Sequence, residues 1–115
     1  MRDPKERLQD IMDAIARIER HAARGREAFE RDELIQVWIV HHLQVIGEAA
    51  ARLGQDFHDA HPELPWIQVV AMRNVLVHEY FGVDFEEVWK TVERDLPKLK
   101  RTIGTLLREL EDRKQ

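Results

Sequence analysis

The sequence predicts an all-α fold, an antiparallel bundle of four to five helices, and three observations carry that expectation. Apolar residues recur at spacings of three and four through most of the chain, which gathers them on one side of a helix with 3.6 residues per turn. Only five Gly and four Pro punctuate 115 residues, which suits a few long helices better than many strands and turns. No segment shows the sustained apolar–polar alternation of a half-buried strand, and there are no internal repeats. At 43% apolar and 35% charged, a chain of this length makes one domain over residues 1–115. Such a domain buries roughly two thirds of its unfolded surface.

The first helix starts at Asp3, a capping residue followed by Pro4 at the first helical position and Glu6 three after the cap. Leu8, Ile11, Met12, Ile15, Ile18 and Ala22 form its apolar stripe, which runs to Gly25. A second helix begins near Asp32 and ends at Leu53, with Gly54 closing it. Its apolar residues leave only a narrow polar stripe of His41, Gln44, Glu48 and Arg52. His61–Pro65 is a loop, and Pro65 opens a third helix that reaches Phe81 and stops at Gly82. Asp84 and Glu87 cap a last segment whose apolar period continues from Phe85 to Leu110. Within it Pro97 either kinks the helix or restarts it with Asp95 as cap.

Composition narrows the function. There is no Cys, so disulfide scaffolds, thiolate metal sites and cysteine nucleophiles are excluded. No apolar run approaches the roughly 18 residues needed to cross a bilayer, and the N-terminus lacks a signal-peptide core, so a cytoplasmic protein without membrane partners is expected. The net charge is −4, and residues 32–83 hold only Arg52 and Arg73 against seven acidic residues. No basic arm or patch advertises nucleic acid.

The third helix is apolar almost all round, through Val69, Val70, Met72, Val75, Leu76, Val77 and Phe81. A helix of that kind needs cover on every side, and in so small a chain a second subunit supplies part of it, so a homodimer is expected. On the same helix Arg73 falls between Val69 and Val77, inside apolar surface, where an unpaired guanidinium is costly. Asn74 and His78 are four apart and share a face, and Tyr80 lies two turns along from Arg73. A guanidinium, an amide, an imidazole and a phenol could hold a phosphate and move a proton. They could equally form a satisfied buried network that fixes packing.

Arg73-Asn74-Val75-Leu76-Val77-His78-Glu79-Tyr80 has the form R-N-x-x-x-H-x-Y. It resembles the signature of HepT-like toxins, in the HEPN superfamily of small helical ribonucleases. Ile46-Gly47-Glu48-Ala49-Ala50, Pro62-Glu63-Leu64-Pro65-Trp66, Tyr80-Phe81-Gly82-Val83-Asp84 and Val88-Trp89-Lys90-Thr91-Val92 also look like that family, in order over about residues 8–103. The resemblance implies a metal-independent endoribonuclease that needs no cofactor and works as a homodimer with both motif helices lining one interface cleft. Arg73, His78 and Asn74 would be catalytic. His78 is the proton carrier, Arg73 stabilises phosphate charge, and Asn74 holds one or the other in place. The substrate would be RNA, such as a tRNA or mRNA, leaving a 2′,3′-cyclic phosphate and a 5′-hydroxyl. The resemblance further implies the toxin of a type VII-like toxin–antitoxin pair. Its partner would be a minimal nucleotidyltransferase antitoxin (MntA-like) that neutralises it by moving AMP onto Tyr80.

Plainer readings stand beside these. The chain could instead be a non-catalytic subunit that docks onto a nucleotidyltransferase and presents Tyr80. Glu48 either lines the same cleft and pairs with Arg73 or makes a dimer-interface hydrogen bond, the second being favoured. His41 and His42 point about 100° apart on a helix, so packing and surface roles suit them better than a metal. No metal-ligand spacing is persuasive elsewhere. Trp38, Trp66 and Trp89 suit core packing better than base stacking, and His58 and His61 sit in a polar loop.

Overall fold

The computed structural model describes residues 3–74 and 84–112. Helix α1, Pro4–Ala22, starts where the Asp3 carboxylate accepts a hydrogen bond from the Lys5 amide at 2.8 Å. Leu8, Ile11, Ile15 and Ile18 are fully buried, so the predicted stripe is the buried face. Gly25, at φ +95°, turns the chain into a short helix α2, Arg26–Arg31. Asp32 then caps α3, Glu33–Arg52, accepting from the Leu34 amide at 2.9 Å. Gly54, at φ +88°, leads into a second short helix α4, Gln55–Ala60. Helix α5, Trp66–Ala71, tightens into a 3₁₀ turn at Met72–Asn74. Asp84 caps α6, Phe85–Lys90, which runs through a π turn at Thr91–Asp95 into α7, Leu96–Asp112.

Three differences from expectation have physical causes. Residues 26–31 and 55–60 form short helices where the sequence predicts none; each is too short for apolar periodicity to register. The third helix begins at Trp66 and has tightened to 3₁₀ by Met72, while the rest of its predicted span, including His78 and Tyr80, lies outside the described residues. Pro97 neither ends the last helix nor makes Asp95 a cap. A proline ring inside a regular helix collides with the carbonyl four residues back and offers no N–H. The wide turn at 91–95 lies just upstream, and the Leu96 amide bonds back to the Thr91 carbonyl.

Contacts between helix ends fix the directions. Lys5, at the start of α1, pairs with Glu111 at the end of α7, and Glu19 near the end of α1 takes Lys100 Nζ at 3.0 Å. The two helices are therefore antiparallel. Trp38, early in α3, donates from Nε1 to the Arg17 carbonyl late in α1 at 2.9 Å, so that pair is antiparallel too. The Arg26 guanidinium donates to Glu30 at 2.8 Å and to Glu86 at 2.9 Å, tying α2 to α6, and both bonds hold its pKa above the ordinary value. Among the described residues no strand occurs. Phe29, Ile39, Leu43, Ile46, Leu96 and Ile103 fill the centre of the bundle.

Candidate active site

The site is built where α3 meets the 3₁₀ turn. Gly47, buried on α3, faces the backbone of Arg73 so closely that a Cβ there would lie 2.8 Å from the Arg73 Cβ and 2.9 Å from its Cα. Such contact leaves no room for a side chain. The glycine thus sets Arg73 directly against α3, and Glu48, the next residue, comes beside it.

The Glu48 carboxylate lies between two guanidinia. Arg52 Nε donates to its Oε1 at 3.1 Å from one turn along α3, and Arg73 Nη1 lies 3.8 Å from its Oε2. At that distance the Arg73 contact is an ion pair without a hydrogen bond. Both partners are roughly half-exposed, 42% for Arg73 and 48% for Glu48, and an exposed pair contributes only about 0–1 kcal/mol. A phosphate offering two charge-assisted hydrogen bonds competes well with so weak a tether.

These positions revise one expectation and bear on another. Arg73 is not enclosed in apolar surface; it projects from the end of α5 at a point where Met72, one residue before, is buried and Asn74, one after, is exposed. Glu48 pairs with Arg73, one of the two roles expected of it. His78 and Tyr80 lie outside the described residues, so the structure brings together Arg73, Asn74 and Glu48 of the expected set. Gly47 was overlooked as a determinant. Its signal was available, an isolated glycine inside a long helical segment.

A cleft of about 560 Å³ opens on the other side of the 3₁₀ turn, between Gln68 and Met72 and the Thr91, Asp95, Lys98 and Thr102 side chains of the π turn and α7. Among the described residues no group of three or more His, Asp or Glu is placed to hold a metal ion, and no helix is long and apolar enough to cross a membrane.

The remaining aromatic and imidazole groups divide by burial. Trp66 and Trp89 are core residues, 7% and 5% exposed. Trp38 is partly buried and packs against the edge of the core. His58 belongs to α4, stacked on Trp66 at 4.5 Å between ring centres, with Nε2 2.8 Å from the Ala50 carbonyl. His41 is exposed and His42 buried. His42 Nδ1 lies 2.8 Å from the Trp38 carbonyl, which can only accept, so this nitrogen carries the proton. Burial lowers the His42 pKa below the ordinary 6.5, outweighing that hydrogen bond.

Comparison with known proteins identifies the family. Residues 11–106 match the family model described as Ribonuclease HepT-like. A protein of Thermococcus cleftensis named "Probable ribonuclease HepT" is 42% identical over 100 residues, covering 86% of this chain and 91% of the relative. A candidate RNase of Methanocaldococcus jannaschii is 35% identical, with 89% and 94% covered. Another from Caldanaerobacter subterraneus is 32% identical, with 93% and 96% covered. No solved structure matches. With nearly the whole chain aligned to the family and Arg73 presented on its surface turn, the protein belongs to the HepT-like ribonucleases.

Proposed function

We propose that this chain is the endoribonuclease toxin of a type VII-like toxin–antitoxin pair, cutting RNA without a metal through Arg73 and His78. The observation that carries the reading is the Arg73 guanidinium, half-exposed at a glycine-supported turn and tethered only by a weak pair to Glu48. Arg73 would take the scissile phosphate and stabilise the charge that grows on it during attack. His78, four residues past Asn74 in the sequence, would remove the proton from the RNA 2′-hydroxyl or return one to the leaving 5′-oxygen. The 2′-oxygen bonds to phosphorus as the 5′-oxygen departs, giving a 2′,3′-cyclic phosphate and a 5′-hydroxyl. Asn74 would orient His78 or the phosphate.

The active form in this reading is a homodimer. Leu34 and Val37, 79% and 62% exposed, continue along α3 toward Glu48 and Arg52 on one face. A second copy covering that stripe would bring two Arg73 side chains near one cleft. Tyr80 would be the AMP acceptor through which a nucleotidyltransferase antitoxin silences the enzyme, since a bulky anion there would occupy the arginine.

Induced expression of wild type beside His78→Ala, with total RNA examined from both, tests the reading. Growth arrest and fragmented RNA in wild type alone are expected, with the same fragmentation by purified protein in EDTA. Equal growth and intact RNA in both would replace the enzyme with the docking subunit that only presents Tyr80.

A further inference from the structure

We propose that the C-terminal half of α1 and the adjoining flank of α3 form an RNA-docking strip. Arg17, Arg20 and Arg24 hold phosphates, and the Trp38 indole stacks on a base. The inference rests on the ribonuclease reading and supplies what that reading lacks. RNA affinity depends on cations that displace counterions, yet the stretch bearing Arg73 has two Arg against seven acids.

The strip gathers three cations on one exposed helix face beside an anchored indole, which no other cation row in the described structure has. Arg17, Arg20 and Arg24 are spaced three and four apart on the exposed face of α1. Arg17 and Arg20 have no ion-pair partner among the described residues, and Arg24 approaches Asp32 only to 4.0 Å. The acid interleaved with them, Glu19, turns to the other flank and pairs with Lys100 of α7. Two carboxylates stay nearby: Asp13, one turn before Arg17 and bonded to Gln9, and Asp32, the cap of α3, beside Arg24. The phosphate-holding role therefore falls chiefly to Arg17 and Arg20. Across the groove, residues 34–47 of α3 contain no acid at all.

The indole is held in place before any ligand arrives. Its Nε1 is anchored on the Arg17 carbonyl, the His21 ring stands edge-on at 5.2 Å, and His42 backs it at 4.4 Å. A partly exposed ring fixed beside unpaired guanidinia is the combination that binds single strands with little sequence preference. Trp38 and Glu48 are ten residues apart on α3, about 15 Å along its axis, so one short strand can touch both strip and active site. Helix-end electrostatics explains part of the cluster, because Arg20 and His21 lie in the last turn of α1. It explains neither Arg17, a turn earlier, nor the anchored indole.

The test uses the whole protein and a fluorescent single-stranded RNA of mixed sequence, comparing wild type with Arg17→Ala/Arg20→Ala. Arg94→Ala/Arg101→Ala, which removes equal charge elsewhere, is the control, and melting curves monitor the fold. Losing two phosphate contacts should flatten the slope of log affinity against log salt by about 1.4. It should also raise KM for RNA cleavage while leaving kcat unchanged, and the control should do neither. RNA should quench tryptophan fluorescence in wild type and not in Trp38→Phe. Should the alanine pair weaken the fold, Arg17→Gln/Arg20→Gln repeats the measurement. Cleavage with unchanged slope and KM in the variant overturns the strip alone. Absence of both binding and cleavage in wild type overturns the ribonuclease reading with it.

Discussion

At the scale of single residues, the site depends on a missing side chain as much as on those present. Gly47 allows the Arg73 backbone to lie against α3. In Gly47→Ala the new methyl meets backbone, which cannot rotate aside, so the 3₁₀ turn must move. Overpacking of this kind costs about 1–3 kcal/mol, and displacement of Arg73 should lower RNA cleavage by more than the loss of folded protein explains. Activity per folded molecule, with the folded fraction measured by thermal melting, checks this. A second single-residue effect concerns pH. His42 is buried, and its pKa lies below 6.5, so the folded protein holds it neutral where the unfolded chain has taken up a proton. Its contribution to stability is complete above about 6.5 and is lost as pH falls below that value. Melting temperature should therefore drop between pH 7.5 and 5.5, and drop less in His42→Gln.

At the scale of elements, α3 presents opposite requirements on its two sides. Ile39 is fully buried while Val37, two residues earlier, is 62% exposed. Ile39→Ala should cost about 2–5 kcal/mol through lost burial and a residual cavity, whereas Val37→Ser should change fold stability by no more than about 0.5 kcal/mol; denaturant unfolding of both variants decides. The long elements were legible in the sequence for the same reason that Ile39 matters. The stripes of α1, α3 and α7 repeat over enough turns to define a face, Asp3 and Asp84 cap where they were expected to, and α3 starts just after Asp32 as expected. The short helices α2 and α4 carry no such repeat. The π turn was hidden because Pro97 signals a disruption without specifying its form. At the site, Arg73 and Asn74 were readable as a motif. The partnership of Arg73 with Glu48 was readable only as one of two alternatives, since it depends on how closely α5 approaches α3, and Gly47 sets that distance.

For the whole molecule, the outward stripe of α3 decides whether the proposed enzyme assembles. Leu34→Glu with Val37→Glu should convert a dimer into folded monomers in sedimentation and abolish RNA cleavage, with helical content retained. A wild-type protein that sediments as a monomer while still cutting RNA would remove the dimer from the mechanism. The antiparallel pairing of α1 with α7 bears on the birth of the protein. Lys5 meets Glu111, and Glu19 meets Lys100, so α1 is completed by a helix synthesised well after it. At about 5–20 residues per second, the α7-facing side of α1 waits some seconds on the ribosome without its cover. A nascent chain of this protein should therefore be a client of the chaperones that meet emerging polypeptides, long before it is a nuclease.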